Sequence, residues 1–173
     1  MRSRASQSSE HRIRNIAIIA AAPILLLAVL AAAYISVRGY GFLTVSSVKT
    51  GERYARYLMK TGDEFGIGFI HSVNKSPVTD YYELRHDGIY VVRTVYYGFG
   101  AGVQTQLEDG QKLEYGEDGS MIITGFDRKM PDLTYIVGTV SDHTLTLGTD
   151  RQISLRDLCG RNASVRFSFE PFL

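Results

Sequence analysis

Three residues with side chains that often take part in catalysis fall within residues 71–80 of this 173-residue chain, namely His71, Ser72 and Asp80. A histidine, a serine and a carboxylate are the parts of a hydrolytic triad, in which the base must face the nucleophile. His71 and Ser72 are neighbours at the predicted end of a strand, where successive side chains point to opposite faces. This arrangement argues against catalysis by the pair, and the sequence predicts no catalytic residue.

The same residues allow three other interpretations. His71, Asp80 and His143 offer two imidazoles and a carboxylate, which transition metals accept as ligands, so a cell-surface enzyme or metal-binding domain is one alternative. A second is structural, with His71 and Asp80 closing the ends of two antiparallel strands around Pro77 through hydrogen bonds. The third is a contact with a ligand or partner. Because the residues are scattered among turns, the sequence does not predict a metal site.

The glycine-rich and acidic segments carry no cofactor motif. Gly98, Gly100 and Gly102 stand at alternate positions, unlike GxGxxG, and no helical pattern follows that would receive a phosphate. The acidic segment 108–119 does not match an EF-hand loop, and its two Asp-Gly pairs indicate turns. The single cysteine, Cys159, excludes an intrachain disulfide and a zinc site built on cysteines. We therefore expect no cofactor.

Residues 16–37 form an apolar run without a charged residue. As a helix the run would be roughly 33 Å long at about 1.5 Å per residue, enough to cross the hydrocarbon core of a bilayer. It exceeds the usual apolar region of a cleavable signal peptide, and arginines flank both of its ends. The sequence predicts an uncleaved transmembrane signal-anchor, with a cleaved signal peptide or a buried core helix as alternatives.

The charges around this run predict its orientation. Four arginines and one glutamate precede it, whereas Arg38 is the only charge that follows it closely. By the positive-inside tendency, residues 1–15 form a basic, polar cytoplasmic tail and residues 38–173 an extracytoplasmic domain of a single-pass protein in the cell membrane. The whole chain has a formal charge of +1 and residues 1–37 contribute +3, which leaves −2 on the rest. We therefore do not expect nucleic acid as a partner.

The exported part consists mostly of short apolar or alternating segments that end at Gly, Asp or Pro. This pattern predicts an all-β domain, an antiparallel sandwich or a small barrel. In the last segment Val165, Phe167 and Phe169 would point inward. We expect 133–140 and 144–147 to pair as a hairpin, and 156–160 to form one helical turn. The other predicted strands are 43–49, 54–60, 65–71, 79–85, 89–97, 120–126, 153–155 and 163–169.

Two motifs resemble those of a family of small exported β-domains, domain of unknown function 1850. The first combines a His-Ser-Val triplet at 71–73, a Ser-Pro-Val triplet at 76–78 and the acidic residue Asp80. The second is the Phe-Gly-Ala-Gly segment at 99–102. Domains of this family are commonly encoded beside, or fused to, the membrane subunits of TAXI-type TRAP transporters.

The resemblance implies a membrane-anchored accessory or interaction domain of a TRAP-type (TAXI) solute transport system. Membrane lipid would surround the N-terminal helix, and the transporter permease or its solute-binding protein would contact the loops at 74–77 and 99–102. The residues that we expect to contact a partner or ligand are His71, Ser72, Lys75, Pro77, Asp80, Phe99, Gly100 and Gly102.

Overall fold

The computed structural model describes residues 4–73, 75–98 and 106–172, with side chains from residue 21 onward. Two compact units follow one another along the chain, one formed by the N-terminal segment and one by Gly39–Phe172. The N-terminal unit contains helix α1, Arg4–Val37, which includes Pro23. The helix covers the apolar run at 16–37, so that run adopts the helical conformation expected from its sequence.

Within the part of the chain whose side chains the structure describes, no helix is both long enough and apolar enough to cross a membrane. The signal-anchor at 16–37 stays a prediction from the sequence.

The regular secondary structure of the second unit is almost entirely β-strand, because its residues alternate between apolar and polar positions over short distances. In β1, for example, Leu43 and Val45 are fully buried while the residues between them are partly exposed. One short helix, α2 at Leu155–Cys159, corresponds to the predicted helical turn and ends at Gly160. The strands are β1 Tyr40–Ser47, β2 Arg53–Lys60, β3 Glu64–Ile70, β4 Pro77–Arg85, β5 Gly88–Tyr96, β6 Lys112–Tyr115, β7 Met121–Lys129, β8 Thr134–Ile136, β9 His143–Leu147, β10 Arg151–Ser154 and β11 Ser164–Pro171.

The strands form two antiparallel sheets that pack as a sandwich, which confirms the predicted fold class and selects the sandwich over the barrel. The smaller sheet has the order β2-β1-β11-β8, and the larger has the order β10-β9-β3-β4-β5-β7-β6. Phe65 of the large sheet stacks on Phe167 of the small sheet with 5.9 Å between ring centroids. Val165, Phe167 and Phe169 are all buried, as their alternation in the sequence predicts.

The expected hairpin between 133–140 and 144–147 is wrong. Its first half contains β8, which pairs with β11 in the small sheet, with Tyr135 opposite Val165. Its second half is β9, which pairs with β3 and β10 in the large sheet. Residues 137–142 therefore lead from one sheet to the other. Alternation in the sequence indicates a strand, but it does not determine which strand becomes its partner.

Two glycines in β3 allow close packing on the outer face of the large sheet. A Cβ atom at Gly66 would lie 3.2 Å from the Tyr81 ring, and one at Gly68 would lie 3.2 Å from Thr79 Oγ1. These distances are tighter than ordinary van der Waals contact. The two glycines therefore leave room for the Tyr81 and Thr79 side chains of the neighbouring strand.

Candidate functional site

A tight loop joins β3 to β4 and contains the first motif. The His71 N–H donates to the Ser76 carbonyl at 2.9 Å, and the Lys75 N–H donates to the His71 carbonyl at 2.9 Å. Lys75 has φ 55°, in the left-handed region that non-glycine residues rarely adopt. The Val73 N–H donates to Nδ1 of His71 at 3.3 Å. These bonds hold the 71–76 loop at one end of the large sheet.

A second loop, residues 138–142, lies between β8 and β9. A Cβ atom at Gly138 would lie 2.0 Å from the Ser141 carbonyl oxygen, so only glycine fits this turn. The Asp142 carboxylate accepts hydrogen bonds from the Ser154 hydroxyl and from the backbone N–H groups of His143 and Arg156. The Arg156 guanidinium donates to the Val140 carbonyl at 2.9 Å. These bonds fix the 138–142 loop to the start of α2.

The two loops enclose a cavity of about 450 Å³, which we call the loop cavity. This volume lies in the range of roughly 300–1,000 Å³ that is typical of small-molecule sites. Its polar side chains come from both loops, and Phe69, Ile70 and Val140 supply an apolar wall. The lining consists of residues 69–72, Lys75, 138–141 and His143.

His143 lines the loop cavity as a neutral hydrogen-bond donor. Burial lowers the pKa of its imidazole, and the charge of Asp142 opposes this effect only in part. The Gly138 N–H donates to His143 Nδ1 at 3.1 Å, so the proton of the neutral ring is on Nε2. The ring stacks on Phe69 with 5.2 Å between centroids, and the edge of Tyr135 approaches it at 5.8 Å. These three contacts, with Gly138, Phe69 and Tyr135, fix the orientation of the His143 ring.

Asp80 lies behind this site, on the inner face of the large sheet. Its carboxylate accepts a hydrogen bond from Thr94 Oγ1 at 2.7 Å and one from Tyr135 Oη at 2.9 Å. The Tyr82 hydroxyl lies 2.6 Å from the Tyr135 hydroxyl. Burial, together with the nearby Asp80 charge, raises the pKa of both phenols, which keeps them protonated as donors. Asp80 therefore joins the two sheets and does not line the loop cavity.

The structure brings some of the predicted contact residues together and separates others. His71, Ser72 and Lys75 all line the loop cavity. Pro77 lines a smaller groove of about 220 Å³ together with Gly68 and Thr79. The predicted contacts Phe99, Gly100 and Gly102, and the loop residue Asn74, lie outside the described residues.

The expectation that His71 and Ser72 point to opposite faces assumes that the strand continues to His71, and this assumption is wrong. The strand ends at Ile70, so the alternation of a strand does not extend to these two residues, and both line the same cavity. The Ser72 hydroxyl has no hydrogen-bond partner among the described residues, and so the structure gives it no general base.

The residues of the metal-binding alternative are not assembled into a ligand set. His71 and His143 line the loop cavity, whereas Asp80 is engaged by Thr94 and Tyr135. Within the described ranges, no group of three or more His, Cys, Asp or Glu side chains is placed to hold a metal ion.

Sequence reasoning missed the wall that the 138–142 loop provides. The sequence indicates His143 only as a residue of the enzyme or metal-binding alternative, and it does not single out Tyr135. The glycine at 138, next to an Asp-His pair, indicates a tight turn with polar side chains. Its position opposite the 71–76 loop depends on β9 pairing with β3, where His143 lies opposite Phe69. That pairing joins segments more than seventy residues apart and leaves no local signal.

A comparison with family models finds one match, described as a domain of unknown function (DUF1850), over residues 65–155. The match covers just over half of the chain, from the start of β3 to the start of α2. It includes both loops of the cavity. No curated protein and no solved structure shows significant similarity to the chain.

Proposed function

Because the chain belongs to the family with the domain of unknown function DUF1850, we propose that it is a membrane-anchored accessory domain of a TRAP-type (TAXI) solute transport system. In this proposal the domain binds a partner or ligand and does not transform it. Residues 16–37 hold it in the cell membrane, with the N-terminus in the cytoplasm and Gly39–Phe172 outside. The transporter permease or its solute-binding protein is the proposed partner.

The observation that supports a binding role is the loop cavity. His71 and Ser72 of the family motif line it together with Lys75, and Ser72 and Lys75 are exposed and therefore accessible. The residues around the cavity are held by backbone and side-chain hydrogen bonds, which pre-organises the site. A cavity with fixed polar donors and an apolar wall is a typical binding site.

Affinity purification from native membranes tests the association. We expect a TRAP membrane subunit or solute-binding protein to co-purify with the tagged full-length chain. Ser72→Arg places a bulky cation at the cavity and should reduce the recovered partner. Thr149→Arg is the matched control, because Thr149 is exposed at the opposite end of β9. If no transporter component is recovered, or if a deletion strain shows normal solute uptake, the proposal is wrong.

A protease added to intact cells tests the proposed topology. The protease should degrade the β-domain. A tag at the N-terminus should stay intact, because the membrane shields the cytoplasmic tail. If the β-domain is degraded only after the membrane is opened, the proposed orientation is wrong.

A further inference from the structure

The polar side chains that line the loop cavity are neutral or cationic. Lys75 supplies an ammonium group, Ser72 a hydroxyl, and His143 the N–H on Nε2. Among the residues that the structure describes, no aspartate or glutamate belongs to its lining. A cavity with these groups favours a ligand that accepts hydrogen bonds and carries negative charge.

The two nearest acidic side chains are directed to other partners. Asp142 adjoins the lining residues Ser141 and His143, but its oxygens accept hydrogen bonds from Ser154 and from two backbone N–H groups. Asp80 accepts hydrogen bonds from Thr94 and Tyr135 on the inner face of the sheet. Neither carboxylate is therefore placed to neutralise the cation in the cavity.

Lys75 is the cation of the loop cavity. Its side chain forms no ion pair with any residue that the structure describes. The backbone of Lys75 is fixed by its hydrogen bond to the His71 carbonyl at 2.9 Å, so the lysine starts from a defined position at the cavity. An ammonium that forms no ion pair within the described part of the chain can form strong charge-assisted hydrogen bonds with a carboxylate.

Part of the cavity lining is apolar. Val140 is 88% exposed and Ile70 is 43% exposed, although both are large hydrophobic residues. The Phe69 ring, which stacks on His143, continues this surface next to the polar donors. A ligand that covers this wall gains free energy from the apolar area that it removes from water.

We propose that the loop cavity binds a small organic carboxylate, with the carboxylate on Lys75, Ser72 and His143 and an apolar body on Phe69, Ile70 and Val140. This inference rests on the proposed function, because it names the ligand class of the same site.

Ligand-observed NMR with the full-length chain in detergent tests this proposal. Hydrocinnamate is the probe, and hydrocinnamamide is the control probe, since it has the same apolar body and no charge. We expect hydrocinnamate to bind with a Kd in the millimolar range or tighter. The amide should bind at least about tenfold more weakly, because it cannot form the charge-assisted bonds.

Two variants locate the binding site. Lys75→Met keeps the length of the side chain and removes the ammonium, so it should weaken hydrocinnamate binding about tenfold or more. Lys49→Met removes a lysine from the exposed turn between β1 and β2 and should leave the affinity unchanged. His143→Asn keeps an acceptor for the Gly138 N–H but lacks the Nε2 donor, and it should also weaken binding.

Each result decides the inference. Equal binding of acid and amide, unchanged affinity in Lys75→Met, or no binding of hydrocinnamate would overturn it. If a transporter component co-purifies while hydrocinnamate does not bind, only the carboxylate site is wrong. If hydrocinnamate binds in a manner that depends on Lys75 while no component co-purifies, the site stands and the association with a transporter is wrong.

Discussion

Tyr135 of the small sheet donates a hydrogen bond to the Asp80 carboxylate of the large sheet, with 2.9 Å between the two oxygens. Because the one phenolic proton of Tyr135 is used in this bond, the Tyr82 hydroxyl must donate to the Tyr135 oxygen, 2.6 Å away. The motif carboxylate is therefore part of a chain of hydrogen bonds between the sheets. The Tyr135 ring also packs against His143, so the same residue supports the loop cavity.

Tyr135→Phe should destabilise the domain. The substitution keeps the ring in the core but leaves Asp80 with one donor fewer and the Tyr82 hydroxyl without its acceptor. Loss of hydrogen bonds to a partly buried charge costs about 1–3 kcal/mol of the free energy of unfolding, measured by urea denaturation. Tyr115→Phe is the matched control, since Tyr115 is 70% exposed, and it should leave the unfolding free energy unchanged. Equal stability of the two variants would contradict the proposed role of the Tyr135 hydroxyl.

Much of the β-domain is predictable because one face of each long strand is buried. Tyr82 and Leu84 alternate with partly exposed residues in β4, and both are buried as the pattern predicts. The turn at His86-Asp87-Gly88 joins β4 and β5 where the sequence places it, with Arg85 opposite Gly88. Local patterns of polarity and turn chemistry suffice for these features.

The partner of Asp80 is not predictable in the same way. Tyr135 is 55 residues away in the sequence and belongs to the other sheet. Its strand, β8, has only three residues, too few to show an alternating pattern. The contact depends on how the two sheets pack, and that information is distributed over the whole core.

The sequence predicts no cavity, although it names His71, Ser72 and Lys75 from one side of the loop cavity as expected contact residues. Turn residues around Pro77 indicate a loop before the next strand, and β4 begins at Pro77. The opposite wall comes from the 138–142 loop, which the sequence analysis assigned to a hairpin. The pairing of β9 with β3 brings that loop to the cavity, and a periodic pattern contains no information on such pairings.

The free energy of unfolding should decrease as the pH falls below about 6.5. Burial lowers the pKa of His143 in the folded domain below its ordinary value of 6.5, so the unfolded chain binds a proton more readily. The stabilisation by neutral His143 is complete above pH 6.5 and is lost as the pH falls through the folded pKa. Denaturation curves between neutral and mildly acidic pH measure this slope. His143→Asn should make the slope shallower, whereas His86→Asn, in the exposed β4–β5 turn, should not change it.

Ser154→Ala should destabilise the connection between the 138–142 loop and α2. The Ser154 hydroxyl donates to Asp142 and accepts from the Asp157 N–H as the N-cap of the helix. Loss of an N-cap costs about 1 kcal/mol, and Asp142 loses a donor in addition. Ser168→Ala is the control, because the Ser168 side chain forms no hydrogen bond with any residue that the structure describes. An unchanged urea midpoint for Ser154→Ala would contradict this role.

We expect a second decrease in the free energy of unfolding at lower pH, which arises from protonation of the Asp142 carboxylate. Burial alone would raise its pKa, but the hydrogen bonds from Ser154, Arg156 and His143 outweigh burial and lower it. The contribution of Asp142 to the free energy of unfolding is complete above its ordinary pKa of 3.8 and is lost as the pH falls through the lower folded pKa. In Asp142→Asn this low-pH decrease should be smaller, while the decrease near pH 6.5 that arises from His143 should remain, as measured by denaturation over both pH ranges.

Divalent metal ions should not stabilise the domain through His71, Asp80 and His143. The Asp80 carboxylate accepts hydrogen bonds from Thr94 and Tyr135, and His143 uses Nδ1 to accept from the Gly138 N–H, so a metal would have to displace existing bonds. Adding Zn²⁺ or Mn²⁺ to the purified, metal-free full-length chain should leave its thermal midpoint unchanged, because only ligands that bind the folded state shift the midpoint. A metal-dependent rise in the midpoint that disappears in both His71→Ala and Asp80→Asn would instead establish the metal-binding alternative. The two variants must be compared with His86→Ala, which removes an imidazole from an exposed turn outside the loop cavity.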